Sequence, residues 1–125
     1  MSELSLLLLI GAFQVKHILG DFVLQSRYMI AHRRIWGHPG GLLHAGIHGA
    51  LSLPILLAAD VALSLVATLL VAEMVTHYLF DWLKDNVVER KGWTPSDAPF
   101  WWLTGLDQGL HQLSYLAIAY FALAA

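Results

Sequence analysis

Apolar residues dominate four segments of the chain, at about residues 4–24, 41–59, 61–83 and 101–124. Each segment is near the roughly 20 residues that a helix needs to cross a bilayer. Only Asp60 and its neighbours separate the second and third segments, which predicts a tight antiparallel hairpin. Pro54 predicts a kink in the second helix. The pattern therefore predicts an all-α fold, an antiparallel four-helix transmembrane bundle that forms a single domain over residues 1–125.

The composition supports a membrane protein. Hydrophobic residues make up 58% of the chain and charged residues only 13%, whereas soluble domains contain about 25% charged residues. The net charge of −2 argues against a nucleic-acid partner. The first apolar segment has no basic n-region, so we expect a retained membrane helix rather than a cleaved signal peptide.

Basic residues indicate the orientation in the membrane. They concentrate in the two longer loops, at about residues 26–40 and 85–100: Arg27, Arg33, Arg34, Arg90 and Lys91. The opposite ends of the segments carry no lysine or arginine. The positive-inside rule predicts that both loops are cytoplasmic and that both termini lie outside.

One pair of histidine or aspartate residues, spaced four apart, occurs in each apolar segment. The pairs are His17–Asp21, His44–His48, His77–Asp81 and Asp107–His111. Residues four apart lie on one face of a helix. All four pairs fall within about two or three helical turns of the cytoplasmic loops, at 1.5 Å per residue. The spacing therefore predicts one polar layer in the interior of the bundle.

Three functions fit such a layer. Imidazole and carboxylate ligands suit zinc, iron, manganese or nickel, and the chain has no cysteine to supply a thiolate. All eight paired residues are candidate ligands for one or two divalent ions, with zinc preferred. A proton or ion pathway is the second function, although polar residues are sparse in the outer halves of the helices. The third is purely structural Asp–His hydrogen bonding, which is costly to bury four times at one depth.

Neighbouring polar residues extend the four pairs. Lys84 lies on the face of the third pair and is a candidate for stabilising negative charge, or a lysine that snorkels at the helix end. Lys16 has the simplest interpretation as a snorkelling lysine. Glu73, one turn before His77, is a candidate base, ligand or ion-pair partner. Gln25 and Gln108 are placed to orient ligands.

The motifs resemble those of an uncharacterised bacterial family of small integral-membrane proteins, catalogued only as a domain of unknown function. That family's pattern is H-x-x-x-D-F-x-x-Q, H-x-x-x-H, H-x-x-x-D-x-x-K and D-Q-x-x-H. The corresponding residues here are His17, Asp21 and Gln25; His44 and His48; His77, Asp81 and Lys84; and Asp107, Gln108 and His111. A looser similarity links the chain to membrane-bound metal-dependent hydrolases.

The resulting hypothesis is a divalent-metal protein of the bacterial inner membrane. It predicts metal-dependent hydrolysis at the cytoplasmic face of a lipid-linked or phosphoester-type substrate, with Asp81, Lys84 and Asp107 as catalytic residues. Two alternatives stay open: a metal or proton transporter or sensor subunit, and a structural bundle without metal. The expected partners are membrane lipid and the metal ion, and the small buried surface is compatible with a homodimer.

Overall fold

The structure, a computed structural model, describes residues 2–124, and those residues form helices joined by short connections without any strand. Helix α1 spans Glu3–Ile18 and continues into a π-helical turn at Leu19–Val23. The other helices are α2 (Arg27–His32), α3 (Pro39–Ala58), α4 (Leu63–Lys91) and α5 (Ala98–Ala124). The predicted all-α class is confirmed.

Three helices are long and apolar enough to cross a membrane: α1 with its π turn, α3 and α4. Many large apolar side chains on their outer surfaces are exposed, among them Leu7, Phe22, Leu42 and Leu63. A water-soluble protein would bury such residues, whereas lipid solvates them at no cost. The helix α5 carries Asp107, three further polar side chains and two glycines in its first half, which lowers its mean hydropathy.

The four long helices surround a common interior. Helix α1 packs on α3 and α5, and α4 packs on the same two helices, while α2 packs on α3. The chain turns between α3 and α4 through residues 59–62, where Asp60 adopts a left-handed φ of 57°. We call this the hairpin end of the helices. The opposite end, which carries α2 and the connection at residues 92–97, is the loop end.

An apolar core fills the interior near the hairpin end. It consists of buried side chains from all four long helices and the α3–α4 turn: Leu9, Phe13, Leu56, Val61, Val66, Leu69, Tyr115, Ile118 and Ala119. The Phe13 and Tyr115 rings stack with their centroids 5.3 Å apart. This core makes the hairpin half of the interior mainly apolar, and the buried polar groups other than Ser52 lie nearer the middle of the helices or the loop end.

Two elements depart from the sequence-based prediction. The first predicted loop contains the short helix α2, whose N-terminus is capped by Ser26 accepting from the Met29 amide at 3.3 Å. The third predicted segment ended at about residue 83, but α4 continues to Lys91 and stops at Gly92, which has a φ of 65°. Charged residues end a hydrophobic segment, yet they do not end a helix; glycine in the left-handed region does.

Candidate metal centre

The eight paired residues meet in one buried layer near the loop end, which we call the polar layer. Their side chains come from all four long helices, and the residues are between 0 and 7% exposed: His17, Asp21, His44, His48, His77, Asp81, Asp107 and His111. Burial of so many ionisable groups without compensation is costly in a protein interior and more so in a membrane. Their contacts therefore decide what the layer can do.

A first group of four residues brings its ligand atoms together. Asp21, His44, His48 and His77 each offer one atom, and the four atoms lie within 4.8 Å of one another. The Asp21 Oδ1 atom is 3.3 Å from His44 Nε2, 3.0 Å from His48 Nε2 and 3.7 Å from His77 Nε2. The Nε2 atoms of His44 and His77 are 3.0 Å apart.

A second group shares His77 with the first and adds Asp81 and His111. Asp81 Oδ2 lies 3.4 Å from His77 Nε2 and 3.0 Å from His44 Nε2. His111 Nε2 is 3.6 Å from Asp81 Oδ1 and 3.4 Å from Asp107 Oδ1. Asp107 lies outside both groups, and its other oxygen faces Lys84 at 3.6 Å.

These separations fit the first coordination sphere of a metal ion. Ligand bonds of 2.0–2.1 Å in a tetrahedral site place neighbouring ligand atoms about 3.3 Å apart. Asp21 Oδ1 and His48 Nε2 are 3.0 Å apart, yet neither atom has a hydrogen-bond partner. Asp81 Oδ2 and His111 Nε2 are likewise buried without a partner. Buried ligand atoms that lie this close together without hydrogen-bond partners could hold a metal ion.

Asp21 reaches the layer from the π-helical turn. The Leu24 amide donates to the Leu19 carbonyl at 2.8 Å, an i to i−5 bond that widens the last turn of the first long helix. Single π turns within α-helices are frequent at functional sites. Gly20 lies in the same turn against the His48 imidazole, and a Cβ at residue 20 would overlap that ring. The close approach of α1 to α3 therefore depends on glycine.

His17 is in the polar layer but outside both ligand groups. Its Nδ1 contacts the Tyr115 hydroxyl at 2.9 Å, and its Nε2 contacts Gln108 Oε1 at 2.8 Å. The Gln108 amide nitrogen also donates to Asp21 Oδ2 at 3.2 Å. With both ring nitrogens engaged, His17 is placed to orient Asp21 and α5. The assignment of His17 as a ligand stays a prediction. Tyr115 was not identified from the sequence as its partner, although Tyr115 lies four residues after His111 on the same helix.

Lys16 does not snorkel, contrary to the sequence-based interpretation. It is 3% exposed and forms an ion pair with Glu73, which is 2% exposed. Its ammonium also lies 3.4 Å from His48 Nδ1 and 4.4 Å from the centre of the Tyr115 ring. The pair extends the polar array one turn toward the hairpin end. The sequence had indicated Glu73 as a candidate ion-pair partner, because it precedes His77 by one helical turn.

Two cations cover the loop end of the layer. Arg33 forms an ion pair with Asp85, donates to Gln25 Oε1 at 2.6 Å and lies 3.6 Å from Asp81 Oδ2. Burial would lower the pKa of Arg33, but the carboxylates of Asp81 and Asp85 outweigh it and raise that pKa. Lys84 bridges Asp85 at 3.3 Å and Asp107 at 3.6 Å. The sequence had indicated only a topological role for Arg33.

The fold and the polar layer define a helical protein with membrane-spanning candidates and a buried His/Asp cluster that could hold a metal ion. The chain belongs to an uncharacterised family, described as Protein of unknown function (DUF3307), which matches residues 6–125. No curated protein and no solved structure matches the chain. Membership agrees with the resemblance to an uncharacterised family and assigns no activity.

Proposed function

We propose that this protein is an integral-membrane, divalent-metal-dependent hydrolase that acts at the cytoplasmic face of the bacterial inner membrane. The observation that carries the proposal is the first ligand group, in which one carboxylate oxygen and three imidazole nitrogens converge within 4.8 Å. An Asp and three His suit zinc in particular. The substrate class is a lipid-linked or phosphoester-type compound that reaches the site from the headgroup region.

The membrane arrangement is part of the proposal. The α5 helix has 27 residues, which at 1.5 Å per residue exceeds the roughly 30 Å of a bilayer core. Its polar side chains Asp107 and His111 face the interior rather than lipid, as their burial requires. We therefore propose that α5 also crosses, giving an antiparallel four-helix transmembrane bundle with two cytoplasmic loops and both termini outside.

The route of access to the polar layer favours hydrolysis over transport. A groove of about 360 Å³ opens at the loop end, lined by charged side chains and by apolar ones: Ile30, Ala31, Arg33, Arg34, Lys84, Asp85, Val88, Glu89 and Phe100. Lys84 links this groove to Asp107 in the polar layer. At the hairpin end a larger groove of about 770 Å³ has a mainly apolar lining, and the apolar core occupies the same half of the interior. The arrangement supports a site that is entered and left from the same side.

Asp81, Lys84 and Asp107 have separate roles in the proposed reaction. A divalent ion would supply Lewis-acid polarisation of the scissile group and would make a nearby water more acidic. Asp81 accepts a proton from the attacking water, and its Oδ2 has no competing hydrogen-bond partner. Lys84 stabilises the negative charge that develops on the side of the groove, and Asp107 holds the Lys84 ammonium in place.

Elemental analysis of purified protein tests the metal. We expect divalent metal in the wild type and its loss in His44→Ala, with unchanged helicity by circular dichroism. Protein without metal at saturating zinc, manganese, iron or nickel would refute the proposal. Hydrolysis is then measured on phosphoester lipids in detergent, where Asp81→Ala should retain the fold and lose turnover. Metal-dependent flux into liposomes without turnover would favour the transporter alternative instead.

The Lys16–Glu73 pair is the one observation that favours transport, because it carries polar groups toward the middle of the membrane.

Cysteine accessibility tests the orientation, since the chain has no cysteine of its own. Asp60→Cys should react with a membrane-impermeant maleimide added outside intact cells, and Ser96→Cys only after lysis. The reverse pattern would overturn the proposed orientation while leaving the metal site untouched.

A further inference from the structure

We infer that the polar layer holds a single divalent ion, bound by Asp21, His44, His48 and His77, and that Asp81, His111 and Asp107 stay free of metal beside it. This inference rests on the proposed function and goes beyond it, because it fixes the number of ions. It also separates the residues that bind the ion from those that remain available to water or substrate.

The first argument is that the two ligand groups share His77. The His77 Nε2 atom lies 3.0 Å from His44 Nε2 in the first group and 3.4 Å from Asp81 Oδ2 in the second. An imidazole nitrogen has one lone pair and therefore binds one ion at a time. Without His77 the second group retains only Asp81 and His111, whereas the first group is a complete set of four ligands for zinc.

The second argument is the formal charge of the layer and its neighbours. Five carboxylates face three cationic groups, which leaves two negative charges in excess: Asp21, Glu73, Asp81, Asp85 and Asp107 against Lys16, Arg33 and Lys84. With every imidazole counted as neutral, one divalent ion balances the charge of the cluster. A second would leave two positive charges uncompensated in a buried site, which is unfavourable in a membrane.

The position of the second ligand group suits a role other than metal binding. Asp81 lies between the proposed ion site and His111, with 3.0 Å to His44 Nε2 and 3.6 Å to His111 Nε2. Asp107 then connects His111 to Lys84 at the groove. A metal-free Asp81–His111–Asp107 group thus lies between the ion and the groove, where it can hydrogen-bond water or a substrate headgroup.

The number of ions is measured directly. Purified protein in detergent is equilibrated with excess Zn²⁺, freed of unbound metal by gel filtration, and analysed for zinc per chain. We expect one zinc per chain in the wild type. His48→Ala and His111→Ala form a matched pair, since each removes one buried imidazole from one group. His48→Ala should lose the zinc, and His111→Ala should retain it.

The charge argument is tested by two further variants that keep all ligands. Glu73→Gln leaves the Lys16 ammonium unpaired, 3.4 Å from His48 Nδ1, and should weaken zinc affinity about 10-fold, as expected for groups that surround a metal site. The double variant Lys16→Met with Glu73→Gln removes both charges and should restore the affinity. Equal affinity in all three proteins would contradict the charge argument.

The outcomes separate this inference from the proposed function. Two zinc ions per chain, or equal zinc loss in His48→Ala and His111→Ala, would overturn the single-ion assignment and leave a metal protein. No zinc or other divalent metal in the wild type would overturn the proposed function and the inference together. Circular dichroism and gel-filtration profiles that match the wild type show that each variant is folded when its metal content is compared.

Discussion

Gly20→Ala is the most specific perturbation of the polar layer, because it adds one methyl group between α1 and α3. The new Cβ would overlap the Cε1 and Nε2 atoms of His48 and lie 3.1 Å from its Cδ2 atom. Carbon atoms in good contact are about 3.5–4.0 Å apart, so the imidazole must move by about 1 Å. Overpacking of this kind costs about 1–3 kcal/mol of stability.

The consequence for metal binding is larger than the consequence for folding. A shift of about 1 Å is half the length of a 2.0–2.1 Å metal–nitrogen bond, so His48 Nε2 leaves the position that completes the first ligand group. We expect zinc affinity to fall at least 10-fold, measured by competition with a chelator dye. The thermal unfolding midpoint of the metal-free protein in detergent should fall by a few degrees.

Gly11→Ala is the matched control for this experiment. Gly11 lies in α1, which leads into the π turn that contains Gly20, and nothing is within 4 Å of the added Cβ. Alanine is favoured over glycine in a helix by about 0.5–1 kcal/mol, so this variant should be equally stable or more stable and should bind zinc normally. If Gly20→Ala retained full affinity, His48 would not be a ligand and the first group would be refuted.

Three further changes test the surroundings of the layer. Lys16→Met leaves Glu73 buried and unpaired and should destabilise the protein by about 3–5 kcal/mol, measured by chemical unfolding. The double variant that also carries Glu73→Gln should recover most of that loss. Equal stability of the single and double variants would contradict a buried ion pair. Arg33→Met should lower the free energy of unfolding, and the loss at about pH 9.5 should equal the loss at about pH 7. The reason is that the pKa of Arg33 is raised in the folded protein, so its contribution is complete below the unfolded pKa and is lost only at higher pH; a difference that shrinks by pH 9.5 would show that another group titrates. Tyr78→Phe removes the hydroxyl that accepts from the Gly37 amide at 2.7 Å and should cost about 0.5–1.5 kcal/mol, with the Trp36 contact retained as shown by unchanged tryptophan fluorescence.

Periodicity allowed the interior side of each long helix to be predicted. A charged or imidazole side chain at i and i+4 marks the face that must avoid lipid, and all four predicted pairs are indeed buried. The assignment of these residues as ligands stays a prediction. Hydropathy was less informative for α5 and for the loop helix α2: the first carries polar residues on its buried face, and the second owes its existence to a local cap at Ser26.

The sequence by itself determined the helical class, the apolar segments and the buried faces, because these depend on local composition and on a period of 3.6 residues. Only the tertiary structure decided which groups meet across helices. The Lys16–Glu73 pair joins residues 57 positions apart, and Tyr115 reaches His17 across 98. Such contacts depend on the rotation and height of each helix. Those are set by packing at points such as Gly20 and by the π turn at Asp21, which no periodic pattern encodes.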